Sequence, residues 1–388
     1  LGSNRNILKK LACSNGFICA VFLATLLTIA TTDARGKEDA GGHAQSTARR
    51  VVGGTAAQPN AWPWMGVILP ANATEPYWDF YCGATLISPR WALTAAHCVT
   101  ENGGYFNPNQ DIDVIIGIND LTEDQGTRIH VSKIIPNPDY IDRITDGDIA
   151  LLELETPSTI TPVSLVGQSL GNALVDSGSS TVIGWGATQT NGSGYTTTLL
   201  QVSVPVVTNA ECIRAESTNG YGATITDNMV CAGAIEGGKD SCFGDSGGPL
   251  LVFTEAVGWT QMGIVSFGPN NGCGLPGAYG IYTRVSRYRD WISENICTAS
   301  DKPSAPDITV DVNGNTVLLA IDPVENATGY QLYFAPYPEM TPIYGMDMGA
   351  GTELAVIQES NSAFYAAVRP YNGVCTGEFS NVAYFQVD

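Results

Sequence analysis

The chain has 388 residues, with 18 Lys and Arg against 38 Asp and Glu, a formal charge of −20 at pH 7. So acidic a chain lacks the clustered cations that phosphate neutralisation needs and repels anionic membrane surfaces, so no nucleic-acid partner is expected. The length allows two domains with real cores, and a hydrophobic fraction of 44% excludes wholesale disorder.

The first residues read as a targeting segment. Arg5, Lys9 and Lys10 precede an apolar run from Gly16 to Ala30, and small residues follow, with Ala30 or Ala34 as cleavage points. That run is shorter than the roughly 20 residues a spanning helix needs. Residues 1–34 are therefore expected to leave as a signal peptide, giving a mature chain without a membrane span, secreted or held at a cell surface. Export permits disulfides. Cys13 and Cys19 depart with the leader, and eight of the 10 Cys remain.

Between 51 and 298 the sequence alternates short β-rich runs with Gly, Pro and Asn clusters. The runs Val114–Ile118, Ile149–Leu154, Ser180–Trp185, Leu199–Val207 and Met262–Phe267 predict barrels or sandwiches rather than βαβ units. Three short motifs punctuate them. Thr94-Ala95-Ala96-His97-Cys98 sets a His beside a Cys. Asp148 opens an apolar strand, with Asp146 two residues earlier as a competitor. Gly244-Asp245-Ser246-Gly247-Gly248-Pro249 sets a Ser among glycines. A Ser hydroxyl becomes a useful nucleophile when an imidazole takes its proton and a buried carboxylate orients that imidazole. Glycines beside the Ser let backbone N–H groups approach a developing oxyanion.

A helical pattern over Val285–Ile296 closes this region, and a linker over 299–306 follows. Residues 307–388 then read as a small β-sandwich. Ile308, Val310 and Val312 alternate, Asn313-Gly314-Asn315 turns, and Val317, Leu319 and Ile321 alternate back. Further strands are predicted at Gly329–Phe334, Ala363–Val368 and Val382–Val387.

The order His, Asp, Ser and the words around them resemble the chymotrypsin/trypsin family over residues 51 to about 297. The resemblance implies an all-β fold of two six-stranded antiparallel barrels with a C-terminal helix, followed here by the sandwich. It implies Ser246 as nucleophile, His97 as general base and acid, Asp148 rather than Asp146 as the orienting carboxylate, and the N–H groups of Gly244 and Ser246 as oxyanion hole. It also implies the disulfides Cys82–Cys98, Cys212–Cys231 and Cys242–Cys273. Cys297 and Cys375 remain, and their pairing would clamp the two units together. No cofactor is expected.

By the same resemblance, Arg49-Arg50-Val51-Val52-Gly53-Gly54 looks like an activation junction, making residues 35–50 a propeptide. Cleavage after Arg50 would free the Val51 amine to pair with Asp245. Asp240, six residues before Ser246, falls where family members that cut after Arg or Lys carry the carboxylate of the primary pocket, and Ser241 beside it adds a hydroxyl. Ser266, Phe267 and Gly268 would present a backbone edge to substrate, and Gly280 would keep the pocket open. The expected partners are protein or peptide substrates with Arg or Lys at the cut, the expected state is a monomer, and the sandwich's ligand is unassigned.

The sequence departs from the family in places. Phe267 stands where Trp is usual, and the stretch Leu275–Tyr282 is long. Ile118 and Gly126 sit where calcium-binding relatives have acidic ligands, so no metal site is expected there. Insertions over 72–80 and 101–110 would enlarge loops rimming the cleft and restrict which proteins enter. Gly329–Tyr333 and Phe364–Asn372 resemble strands of fibronectin type III or immunoglobulin-like modules, and the whole architecture resembles secreted bacterial trypsin-like proteases, including those of Vibrio. Asn72, Asn191 and Asn326 sit in glycosylation-type triplets. Two other readings compete: a catalytically dead member acting as a binding protein, and an esterase with a nucleophile elbow. The first needs a broken motif and none is visible; the second expects His last in order, and here it comes first.

Overall fold

The computed structural model of the chain describes residues 51–100, 111–123, 126–141, 145–167, 179–221, 224–254 and 257–387. The leader and propeptide expected over 1–50, Arg50 included, and the insertion expected at 101–110 lie outside the described residues.

Six antiparallel strands close a first barrel: β1 (Met65–Pro70), β2 (Cys82–Ser88), β3 (Trp91–Thr94), β4 (Ile112–Ile116), β5 (Thr127–Pro136) and β6 (Ala150–Leu154), in the order β1-β2-β3-β6-β5-β4. A second six close another: β7 (Ser179–Gly184), β8 (Leu200–Val207), β9 (Met229–Ala232), β10 (Pro249–Thr254), β11 (Gly258–Phe267) and β12 (Gly280–Arg284), in the order β7-β8-β9-β12-β11-β10. The two barrels thus repeat one strand order. Closure removes the open sheet edges that would otherwise invite pairing with other chains.

Burial explains the sequence pattern. β1, β3, β4 and β9 are almost wholly buried on both faces, which is why they read as largely apolar runs instead of alternating ones, with the buried Asp113 of β4 paired to Arg128. Residues of both barrels form one contiguous core, with Leu69, Leu93 and Ile116 from the first and Val182, Leu250 and Ile264 from the second. The expected closing helix resolves into a 3₁₀ turn, Val285–Tyr288, and α2 (Arg289–Ile296). A further helix, α1 (Asn209–Asn219), precedes β9 and is tied to it by Cys212–Cys231. The sequence reading missed it.

The C-terminal region forms two antiparallel sheets. One holds β13 (Ile308–Asn313), β14 (Thr316–Ile321) and β17 (Glu353–Ile357). The other holds β15 (Gly329–Pro336), β16 (Tyr344–Asp347), β18 (Ser362–Asn372), β19 (Cys375–Thr376) and β20 (Ala383–Val387). Their facing side chains, among them Leu319, Ile321, Leu332 and Val368, make a separate core. β14 alternates buried and exposed along its length, as a one-sided sheet requires. β16 and β17 went unread, because the first has no buried residue and the second alternates weakly over five.

This unit docks on α2. Arg289, Ser293 and Cys297 are spaced four apart, so they share one helix face. Ser293 Oγ accepts the Thr376 N–H at 3.1 Å, Cys297 is bonded to Cys375, and Arg369 pairs with Asp290 at 2.6 Å. Among the described residues, no helix is long and apolar enough to cross a membrane.

Candidate active site

The rims of the two barrels bring the sequence motifs together. β3 ends at Thr94, and a 3₁₀ turn over Ala96–Cys98 presents His97, nearly buried. Asp148 lies just before β6 and is fully buried. Its Oδ1 accepts the His97 backbone N–H at 2.8 Å, and its Oδ2 faces His97 Nδ1 at 2.7 Å. The carboxylate thereby fixes both ring and backbone of the His, and the other ring nitrogen, Nε2, lies 3.7 Å from Cys98 Sγ. Asp146 has a different task. Its two oxygens accept from Thr226 Oγ1 at 2.9 Å and Asn228 Nδ2 at 3.2 Å, stitching this loop to the second barrel.

Asp148 has a further donor. Ser266 Oγ donates to Oδ2 at 2.5 Å. The pairing of β11 with β12 slips between Val265 and Phe267, so Ser266 sits at a bulge. Bulges re-aim a side chain out of the regular alternation, and here the hydroxyl turns to Asp148. Sequence reasoning placed Ser266 on a substrate-facing backbone edge and missed this role of its side chain. Burial pushes the Asp148 carboxyl up, yet the His97 charge and the hydrogen bonds from His97 and Ser266 outweigh it, and the net shift is downward.

Ser246 sits in a tight turn between the barrels. Its carbonyl accepts the Gly83 N–H from β2 at 2.7 Å, and Gly83 O accepts Thr94 Oγ1 at 2.8 Å. The Ser246 turn is thus bonded to the strand pair that leads to His97. Gly247 has φ +78°, and a Cβ there would lie 2.3 Å from Thr94 Oγ1, so conformation and space both demand glycine. The N–H groups of Gly244 and Ser246 donate to no acceptor among the described residues. Two such amides flanking one hydroxyl are the arrangement that can receive an oxyanion.

One cavity of about 340 Å³ joins His97 and Ser246 to Asp240, Ser241 and the Ser266–Gly268 edge. Asp240 is buried at its end. Its Oδ2 accepts the Gly274 N–H at 2.8 Å, while Oδ1 has no well-formed partner. Burial pushes its carboxyl up to about 7, reinforced by the charge of Asp245 and opposed by the bonds from Gly274 and Ser241. Gly280 borders this carboxylate, because a Cβ there would come within 2.7 Å of Asp240 Oδ1. Ser241 Oγ lies 3.1 Å from Tyr282 OH beside it. Phe267 forms part of the cavity wall, and Gly268 leaves open space where a Cβ would be.

Asp245 is fully buried and accepts N–H bonds from Gly186 at 2.8 Å and Cys242 at 2.9 Å. Burial pushes its carboxyl up to about 6. Val51 is also fully buried, and Val52 packs with Ala187 and the Cys242–Cys273 disulfide, which closes the loop carrying Asp245 and Ser246. The Cys82–Cys98 disulfide brackets the His97 turn. Among the described residues one cluster has metal-ligating types within reach, Cys82, His97 and Cys98, and its two sulfurs are already bonded to each other. Of the positions where calcium ligands were discounted, Ile118 is buried and Gly126 packs against Ile115 and Ile116.

A family model described as Trypsin matches residues 51–292. The chain is 39% identical over 257 residues to a venom serine protease, Bi-VSP, of Bombus ignitus, covering 62% of this chain and 67% of that protein. It is 38% identical over 251 residues to coagulation factor IX of Cavia porcellus, covering 62% of this chain and 80% of the relative. Coagulation factor IX of Oryctolagus cuniculus is 37% identical over 250 residues, with 62% and 83% covered.

Proposed function

The chain belongs to the trypsin family of serine peptidases, and from that premise we propose that it is a secreted endopeptidase, released by cleavage after Arg50, that cuts proteins after Arg or Lys. Ser246 Oγ attacks the scissile carbonyl carbon while His97 Nε2 takes its proton. The oxyanion is received by the N–H groups of Gly244 and Ser246. Collapse breaks the C–N bond, His97 protonates the departing amine, and water then hydrolyses the acyl-enzyme by the same proton path. Asp148 holds the imidazole in its working tautomer throughout.

The observation that carries the specificity is the buried Asp240 carboxylate, its Oδ1 without a well-formed partner, lining the cavity that contains His97 and Ser246. A guanidinium or ammonium entering there satisfies that oxygen, whereas an apolar side chain leaves it buried and alone. Gly280 keeps the approach clear.

Activation follows from Asp245. A carboxylate buried with two backbone donors and, among the described residues, no cation is costly, and the new Val51 amine would supply that charge. Pairing would hold the turn over Gly244–Ser246 in its oxyanion-receiving form. The full burial of Val51 and the packing of its neighbour Val52 against the Cys242–Cys273 disulfide support this reading. Residues 1–34 would then be the signal peptide, 35–50 the propeptide, 51–298 the peptidase domain and 299–306 the linker. Residues 307–388, with three strands facing five, suit an immunoglobulin or fibronectin type III-like module. That added module is also what favours kinship with secreted bacterial proteases of the Vibrio type. Hydrolysis of peptides ending in Arg, Lys, Phe or Ala, before and after cleavage at Arg50, tests the proposal. Equal activity on Phe and Arg would refute the specificity, and full activity before cleavage would refute the switch.

A further inference from the structure

The two sheets of the C-terminal module enclose a cavity of about 310 Å³, to which β13, β14, β15, β16, β17, β18 and β20 all contribute. Toward one end the sheets close on each other, with Ile308, Ile321 and Val368 buried. Toward the other lies the cavity. Val317 faces Val356 and Leu319 faces Leu354 across the three-stranded sheet, and Phe364 pairs with Phe385 across the five-stranded one. These six side chains line the cavity, yet Leu354, Val356, Phe364 and Phe385 are only half-buried. Close-packed cores hold few voids larger than a water molecule, and core space that no side chain fills costs stability in proportion to its volume. A module this small has little stability to give up.

The cavity has one polar wall. Gln358, which follows β17, is 7% exposed and is the single polar side chain lining it. Its backbone is fixed by Asn315, whose carbonyl accepts the Gln358 N–H at 2.8 Å and whose Nδ2 donates to the Gln358 carbonyl at 2.8 Å. The Gln358 side-chain amide has no hydrogen-bond partner among the described residues. A buried amide, both donor and acceptor, is costly until something bonds to it. No charged side chain lines the cavity. Between 307 and 388 Arg369 is the single Lys or Arg, and it is paired with Asp290 at 2.6 Å.

We propose that this cavity is a binding site for a neutral, mostly apolar small molecule whose one polar group bonds to the Gln358 amide. Apolar pockets of about 300 Å³ or more with a few placed polar groups are the usual form of small-molecule sites. At roughly 30 Å³ for each non-hydrogen atom, the volume suits a ligand of about ten such atoms. A medium-chain acyl amide or alcohol has that size, and its head can both give and accept a hydrogen bond. A carboxylate is disfavoured, because its charge would be buried without a cation in an acidic module. The site stands apart from the peptidase reading, since it shares no residue with the cavity at Ser246.

Ligand-observed NMR titration of the full chain tests this with octanamide, 1-octanol and octanoate at pH 8. Octanamide and 1-octanol should bind, and octanoate should bind more weakly by about tenfold or more. Gln358→Leu makes the wall wholly apolar and should weaken octanamide by about five- to tenfold. Val356→Trp puts a ring into the space and should abolish binding of all three, with urea unfolding to show that the module still folds. Should Val356→Trp fail to fold, Gln358→Leu and the octanoate comparison decide. No binding of octanamide by the parent chain overturns the inference. So does octanoate binding as tight as that of octanamide, or an octanamide affinity unchanged in Gln358→Leu. Binding that survives in folded Val356→Trp overturns it too, by placing the ligand elsewhere.

Discussion

Ser266 Oγ and His97 Nδ1 share one oxygen of Asp148, at 2.5 and 2.7 Å. A buried carboxylate with a single partner would be held loosely and pushed toward protonation; with the Ser266 hydroxyl, the His97 ring and the His97 amide it stays ionised and fixed. Removing the hydroxyl should therefore weaken orientation without abolishing chemistry. For Ser266→Ala we expect kcat to fall about tenfold with little change in KM, since a hydrogen bond to a charged group contributes about 1.5–3 kcal/mol. The acid limb of the kcat profile should also move to higher pH, which loss of packing alone would not cause. Asp148→Asn should cost roughly 10⁴ in kcat, because the amide favours the wrong imidazole tautomer. Asp146→Asn should leave kcat near that of the parent.

Asp240→Asn separates specificity from stability. Turnover of Arg and Lys substrates should drop by about 10³ or more in kcat/KM, as the neutral amide leaves the substrate's buried cation without a counter-charge. Stability should move the other way. The folded-state pKa lies at about 7 against an ordinary 3.8, so this group's stabilising contribution is full below 3.8 and is lost as pH rises to about 7. The Asn variant escapes that loss and should be more stable at pH 8 by roughly 2–4 kcal/mol, read from urea unfolding of the ligand-free enzyme. Equal stability at pH 8 with a gap at pH 4 would reverse the sign and contradict the account.

Much of this was legible beforehand, for a physical reason. Strands buried on both faces must be continuous apolar runs, and His97, Asp148, Ser246 and Asp240 stand in short local words. What depended on distant contacts was not legible. The resemblance chose Asp148 over Asp146, but the task of Asp146 was not legible, because Thr226 and Asn228, which occupy it, lie some 80 residues away. The Ser266 side chain reaches Asp148 because of a bulge set by cross-strand register, and no single-strand pattern announces it. α1 carries a polar second half with little periodicity, and the cavity between the two C-terminal sheets is assembled from strands spread over the whole module.

Asp245 predicts an alkaline limit. Its carboxyl is pushed up to about 6 by burial, and pairing with the freed Val51 amine would bring it back down while raising the amine. The pair is then intact at neutral pH and is lost as pH rises through the raised amine pKa. Activity of the cleaved enzyme should fall reversibly above that point, chiefly through KM. Asp245→Asn should give a cleaved chain of normal fold with little activity. Retention of full activity in that variant would contradict the switch.

The Cys297–Cys375 link joins α2 to β19 across 78 residues. Cys297→Ser/Cys375→Ser should lower stability by about 2–4 kcal/mol. Kinetics on short peptides should hardly change, because the link lies outside the cavity at Ser246. A calorimetric scan of the double variant checks the first expectation, and the same peptides check the second.

The most direct test of the central claim compares Arg, Lys, Phe and Ala substrates on the precursor, on the chain cleaved after Arg50, and on cleaved Ser246→Ala. The account predicts hydrolysis after Arg and Lys that appears only on cleavage and is absent from Ser246→Ala. A cleaved, folded chain that hydrolyses none of them, or that hydrolyses Phe substrates as well as Arg, would contradict it.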